Sequence, residues 1–214
     1  MKIVQAKRGG KNRVEIIFDN GEVITLAYEI YLKNNLKLNQ EVSEQILSNL
    51  LSEDQKYQVK QSALNYISRR HHSKSEIRIK LKQKKFGPDH IEKVLSELEQ
   101  RNYIDDAVFA RIFTDERVKA KNWGKNKVKA ELIKRGVPSK IIEEIVREKF
   151  SDHSELEAGF ELAQRKFKGL SKRNLDHKKI QVSIYSFLVS RGYDYDSCKQ
   201  IVGKLFRGEE LTDF

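Results

Sequence analysis

Residues 73–94 read Ser73-Lys74-Ser75-Glu76-Ile77-Arg78-Ile79-Lys80-Leu81-Lys82-Gln83-Lys84-Lys85-Phe86-Gly87-Pro88-Asp89-His90-Ile91-Glu92-Lys93-Val94, and their apolar positions decide the fold. Around Phe86, apolar residues stand nine and five places upstream (Ile77, Leu81) and five and eight places downstream (Ile91, Val94). The same skeleton recurs around Val137, as Val128, Leu132, Ile142 and Ile145, and around Tyr193, as Ile184, Leu188, Cys198 and Ile201. The anchors lie 51 and 56 residues apart. This spacing fits two helices joined by a tight turn. Three copies predict a mainly α chain of tandem three-helix, helix-turn-helix-like repeats in an elongated stack, a form that acts through its surface and not through one deep pocket.

Working outward, the N-terminal segment reads as a small β-meander over about residues 2–27. Val14, Ile16 and Phe18 share one face, and Asp19-Asn20-Gly21-Glu22 is a hairpin signal of the Asn-Gly, type I′ kind. A sheet this small needs a helix to pack on, and Tyr28–Asn34 and Glu41–Leu51 are the helices available. Ser52-Glu53-Asp54-Gln55 has capping-box spacing and is expected to open a separate helix over about 54–70, with Ala63, Leu64 and Ile67 inward. Ser73 with Glu76, and Ser154 with Glu157, read as further capping boxes. Pro88 with Asp89, and Pro138, read as helix starts, and Gly136 and Gly192 as left-handed helix ends. The expected domains are 1–53 (β-meander plus short helices), 54–104, 105–153 and 154–214 (one three-helix repeat each, the last with a frayed tail over Gly208–Phe214).

The chain of 214 residues carries a net charge of +11. The excess is confined to the repeats: residues 1–54 have net charge −1, residues 55–104 +7, residues 105–154 +3 and residues 155–214 +2. Basic residues cluster at matched places. Each cluster falls at the end of the first helix and along the second: Arg69, Arg70, Lys74, Arg78, Lys82 and Lys85; Lys121, Lys125, Lys129 and Arg135; Lys172, Arg173, Lys178 and Lys179. The third helices are more acidic. Stacked repeats would align the clusters into a basic stripe for a phosphate backbone or an acidic protein groove, with strong salt dependence. Arg70, Arg78, Lys82, Lys125, Lys129 and Lys179 are the leading candidates. Trp123 lies between Lys121 and Lys125 and is read first as a turn aromatic packed between helices, with base stacking as the alternative.

Catalysis finds little support. The five histidines are scattered, no His/Cys metal spacing occurs, and no phosphate-binding P-loop is present. No enzymatic activity and no cofactor are expected. Asp105 and Asp106, directly before Ala107, read as helix N-cap and first-turn acids. The single cysteine, Cys198, falls on an apolar stripe position and reads as a buried core residue, consistent with a reducing, cytoplasmic setting. Phe86, Tyr103, Phe109, Phe113 and Tyr193 are expected in the core. Met1-Lys2-Ile3-Val4-Gln5 lacks a signal-peptide apolar core, so export is not expected.

Tyr66-Ile67-Ser68-Arg69-Arg70, Ser73-Lys74-Ser75-Glu76-Ile77, Asn102-Tyr103-Ile104-Asp105-Asp106-Ala107-Val108-Phe109-Ala110-Arg111, Arg135-Gly136-Val137 and Arg191-Gly192-Tyr193 together resemble the RecX family of RecA regulators, over about residues 57–206. Tyr103, Asp105, Asp106, Phe109 and Ala110 carry the most specific part, and the N-terminal β element is similar to the extension of longer family members. Two positions depart from the pattern. Lys85 stands where the family often has Gly, so Gly87 is expected to end that helix. Asn102 replaces the Gly usual before Tyr103 and should tolerate the same left-handed turn. The resemblance implies a non-enzymatic protein that binds the RecA filament on single-stranded DNA, in its groove, with double-stranded DNA as a further candidate contact; a monomer is expected, and no membrane contact, since no apolar run approaches the roughly 20 residues of a span. It further implies modulation of recombinase, ATPase and coprotease activities, and hence a place in homologous recombination, DNA repair and the SOS response. The rival is a sequence-independent DNA-binding protein with no RecA role.

Overall fold

A computed structural model describes residues 1–173 and 175–206. The tail expected over Gly208–Phe214 lies outside the described residues. The chain divides into two compact units: Met1–His72 with Glu76–Ile104, and Ser73–Ser75 with the chain from Asp105 onward.

The first unit opens with an antiparallel sheet of β1 (Ile3–Arg8), β2 (Arg13–Phe18) and β3 (Val23–Ala27), in that spatial order. Period-two alternation turns Val14, Ile16 and Phe18 into one core with Ile3, Ile24 and Leu26, closed by Ile30, Leu36, Val42 and Leu50. The β2–β3 turn is not type I′. Only Gly21 takes a positive φ, of 81°, and its N–H donates to the Phe18 carbonyl at 3.0 Å, so a three-residue loop ends on a left-handed glycine.

After α1 (Tyr28–Lys33) comes the main departure from expectation. The helices expected at 41–51 and 54–70 are one helix, α2 (Glu44–Ile67), capped by the Ser43 hydroxyl. Ser52 and Glu53 do not start a helix, because Asp54 is drawn into the middle of α2 for another purpose. It is only 4% exposed, accepts the Ala27 N–H at 2.6 Å, and pairs with Arg13 of β2 at 3.2 Å. It is the polar tie between sheet and helix. Farther along α2, Val59 and Ala63 are fully buried against α3 (Lys74–Gln83) and α4 (Pro88–Gln100), with Leu64 and Ile67 partly so.

The second unit contains α5 (Asp106–Lys121), α6 (Lys125–Lys134), α7 (Ser139–Lys149), α8 (Asp152–Leu170), α9 (His177–Arg191) and α10 (Tyr195–Leu205). Asp105 caps α5 by accepting the Ala107 and Val108 N–H groups, as expected. The cap of α8 is Ser151, not Ser154, which instead closes the reciprocal bond as the third residue. Asn122, in the left-handed conformation at φ 49°, ends α5, while Gly124 is extended. Phe109, Phe113 and Val128 share one apolar cluster with Ile142, whereas Ala163, Ile184 and Cys198 share another with Tyr193. Burial pushes the Cys198 thiol up to about 11 and the Tyr193 hydroxyl up to about 12. Tyr103 is not core: it is 55% exposed. It follows the left-handed Asn102, whose turn survives as expected at φ 58° and carries the ring away from the α4 stripe.

The end of α3 differs too. Gly87 does not close it; it is extended and precedes α4. Lys85 itself takes the left-handed conformation, at φ 62°. A side-chain-bearing residue there costs on the order of 1–2 kcal/mol that glycine would avoid.

Candidate binding surface

The clustered cations fall into two groups, those already engaged and those left over. In the first unit, Arg70 pairs with Glu76 at 3.2 Å, and Arg78 grips Glu92 with two bonds of 2.6 and 2.9 Å. Glu76 also meets buried His72 at 2.9 Å, and desolvation lowers the pKa of that imidazole. Glu97 of α4 gathers Lys56, Lys60 and Arg101, and the Lys60 hydrogen bond holds its carboxyl below the usual range. The acidic third helix therefore neutralises part of its own neighbourhood. Arg69, Lys82 and Lys85 are exposed and have no acid partner among the described residues.

In the second unit, Lys125 is structural. Its Nζ lies 2.6 Å from Asp194 and 3.5 Å from Glu155, and its backbone N–H donates to Glu155 at 2.9 Å. Glu155 is 4% exposed. The Asp194 contact raises the Lys125 pKa, and the same contact holds Asp194 down at about 2. Lys125 thus joins the start of α6 to α8 and to the α9–α10 turn. Backbone bonds complete the joint: Gly124 N–H to the Arg191 carbonyl at 2.9 Å, and Asn126 N–H to the Gly192 carbonyl at 3.1 Å. A Cβ on Gly124 would lie 2.7 Å from the Gly192 carbonyl carbon, and one on Gly192 would overlap Lys127. The glycines are there because two backbones touch.

Lys74, one repeat offset before Lys125, occupies the matching place. Its N–H donates to Asp106 at 2.8 Å, Ser73 Oγ donates to the Arg135 carbonyl, and Ser75 packs where a Cβ on Gly136 would go. In both places a carboxylate from the following first helix satisfies the open N-terminus of a second helix. α6 has no acid in its own first turn and only glycine as N-cap, so the carboxylate supplies what the local sequence lacks.

A second repeated contact was not anticipated. Lys84, Arg135 and Arg191 are separated by the repeat offsets, and each lies over an aromatic ring: Lys84 on Tyr66 at 5.4 Å, Arg135 on Phe113 at 4.6 Å, Arg191 on Phe187 at 5.1 Å. Arg135 also pairs with Glu131. The cations and apolar residues around Arg-Gly in 135–137 and 191–193 were visible in the sequence; the rings were not, because in the third repeat the ring moves from the first helix to the second. Lys121, Lys172, Arg173, Lys178 and Lys179 are exposed and Lys129 half-buried, and none has an acid partner among the described residues. Trp123 packs edge-on to Phe113 with centroids 6.2 Å apart, as a turn aromatic should. Among the described residues no cluster of three or more His, Cys, Asp or Glu is arranged to hold a metal ion, and no helix is long and apolar enough to cross a membrane.

The "Regulatory protein RecX" of Clostridium acetobutylicum is 31% identical to this chain over 205 residues, spanning 95% of this chain and 94% of that protein. The chain belongs to the RecX family. The RecX regulatory protein of Clostridioides difficile is 32% identical over 209 residues, covering 98% and 96% of the two chains. Family descriptions agree locally: residues 60–98 match the RecX first three-helix domain and residues 105–146 the second. A crystal structure of regulatory protein RecX superposes with a TM-score of 0.73 at 20% identity over 97% of this chain and 99% of that one. That of RecX from Lactobacillus salivarius gives 0.64 at 24% identity, over 72% and 97%. At these identities the structures establish the shared RecX fold. Lys85 and Asn102, the two departures from the RecX pattern noted above, both adopt the left-handed backbone that glycine would favour.

Proposed function

We propose that this chain regulates RecA by binding the RecA filament on single-stranded DNA and changing its ATPase, recombinase and coprotease activities. The observation that carries this is the near full-length relationship to RecX regulatory proteins, at 31% identity over 205 residues. The chemistry agrees: a net charge of +11, with exposed cations such as Arg69, Lys82, Lys85, Lys121 and Lys179 that no acid of the described chain neutralises. Such charges favour a polyanionic partner and are sensitive to salt. Arg78 and Lys125 are the weaker candidates, because each already pairs with an acid of the fold, Glu92 and Asp194 respectively.

The test is ATP hydrolysis by RecA on excess single-stranded DNA, with this protein added well below one copy per RecA. The rate should change at sparse loading, and the direction of change gives the sign of regulation. An unchanged rate alongside tight binding to bare DNA would overturn the proposal in favour of a general DNA-binding protein.

A further inference from the structure

Three cations of the second unit that lack an acid partner among the described residues converge on its one indole. Trp123 sits in the α5–α6 turn, half-buried, and is the only tryptophan of the chain. The Arg117 guanidinium lies 5.8 Å from its ring centre, the Lys121 ammonium 5.4 Å and the Lys127 ammonium 5.9 Å. Arg117 also lies 5.0 Å from the Phe113 ring, and its buried Nε has no hydrogen-bond partner among the described residues. None of the three has an acid partner among the described residues, in contrast to Lys125 and Arg135 beside them. Of the acids on the same helices, Asp106 holds the Lys74 N–H, Asp115 pairs with Lys149 and Glu131 with Arg135, while Glu116, exposed on α5, forms no ion pair with any of the three. The arrangement is also held in place. The Lys121 carbonyl accepts from Arg191, the Asn122 carbonyl from the Tyr193 hydroxyl, and the Lys127 backbone abuts Gly192.

We infer that Trp123, Arg117, Lys121 and Lys127 form a contact site for single-stranded nucleic acid, the cations holding backbone phosphates and the indole taking a base. Three like charges gathered without counter-charge repel one another, and a polyanion relieves that repulsion. Ring surface among the cations distinguishes a nucleotide from a carboxylate chain, since a base offers a π-face and a phosphate together. A single strand is favoured over a duplex because only unpaired bases can leave the stack to meet the indole. The inference deepens the RecA–DNA proposal and rests on it for its setting, but its chemistry is open to test on bare DNA.

The experiment titrates the full chain with a labelled oligo(dT), following anisotropy of the DNA and emission of Trp123 together. Emission should change in step with binding. The double variant Lys121→Glu/Lys127→Glu should weaken binding at least about tenfold and flatten the slope of log affinity against log salt by roughly 1.4, at ~0.7 per phosphate contact on a single strand. Lys93→Glu/Lys140→Glu, with the same change in net charge on exposed third-helix positions, should keep both. Arg117→Met, which keeps an unbranched side chain over the rings, should weaken binding without changing the circular dichroism spectrum. Binding with unchanged Trp123 emission and an indifferent Lys121→Glu/Lys127→Glu variant would overturn the site, as would no DNA binding at low salt, or polyglutamate competing as well as oligo(dT) at equal charge. An unresponsive RecA ATPase with these DNA results intact would instead overturn the filament proposal and leave the site standing.

Discussion

Replacing Lys125 by methionine separates its two roles, because methionine keeps most of the unbranched apolar stem and removes the ammonium group with its charge and donors. The sequence places Lys125 among the binding cations, whereas the structure makes it a tie between α6, α8 and α10. Removing one partner of a buried ion pair costs ~3–5 kcal/mol when the other charge stays buried. Here Glu155 is that other charge, with its side chain 2% exposed, but Lys125 is 26% and Asp194 32% exposed, so solvent screens part of the loss. Glu155 also keeps its bond from the backbone N–H of residue 125. The expected cost is about 2–3 kcal/mol. Urea unfolding followed by far-ultraviolet dichroism and by Trp123 fluorescence, in the same unit, would measure it as a lower midpoint at unchanged slope. Acid should mimic the substitution in part. The folded-state pKa of Asp194 is depressed to about 2 from 3.8, so its stabilisation is full above about pH 4 and is lost as pH falls through 2. Lys125→Met should lose the larger part of that acid sensitivity, the Ser197 N–H bond to Asp194 keeping the rest. A stability change under ~0.5 kcal/mol would refute the tie, and a normal fold with weakened DNA affinity would return Lys125 to the contact set.

Lys85→Gly should stabilise the first unit by roughly 0.5–1 kcal/mol, the relief of a left-handed side-chain-bearing residue less the entropy of glycine, read as a higher urea midpoint. If Lys85 also meets the partner, the same variant will bind more weakly while being more stable. Gly192→Ala should destabilise the second unit by at least about 2 kcal/mol, because it combines φ +92° with overlap on the Lys127 backbone, and thermal melting would detect it. Asp54→Asn should cost about 2–3 kcal/mol by leaving Arg13 without its buried counter-charge, and hydrogen exchange of the β3 amides, Ala27 above all, should quicken. Unchanged exchange there would mean the sheet holds to α2 by its apolar face alone.

The helices of the repeats were legible because periodicity and caps are local signals. Ile77, Leu81, Ile91 and Val94 sit at 0% exposure, and Asp105, Gly136 and Gly192 perform the end-capping their types suggest. Where local signals compete with a distant partner they misled. Ser52-Glu53-Asp54-Gln55 has the pattern of a helix start, but the Ala27 amide and Arg13 claim Asp54 and the helix runs through. The candidate site was legible as a charge density and not as a set of residues. Which cations are free depends on which acids stand opposite, and Glu92, Glu155 and Asp194 reach their partners from other helices.

The sequence by itself determined the repeated helical unit, the meander before it, the kinship with RecX and the excess of positive charge, because each is a property of residue type at short spacing. Only the tertiary structure decided that Arg78 and Lys125 are ion-paired, that Lys84, Arg135 and Arg191 each cover a ring, and that Arg117, Lys121 and Lys127 gather around Trp123 with no acid partner among the described residues. Charge pairing falls off over a few ångströms, and the chain brings those partners together from residues far apart in sequence.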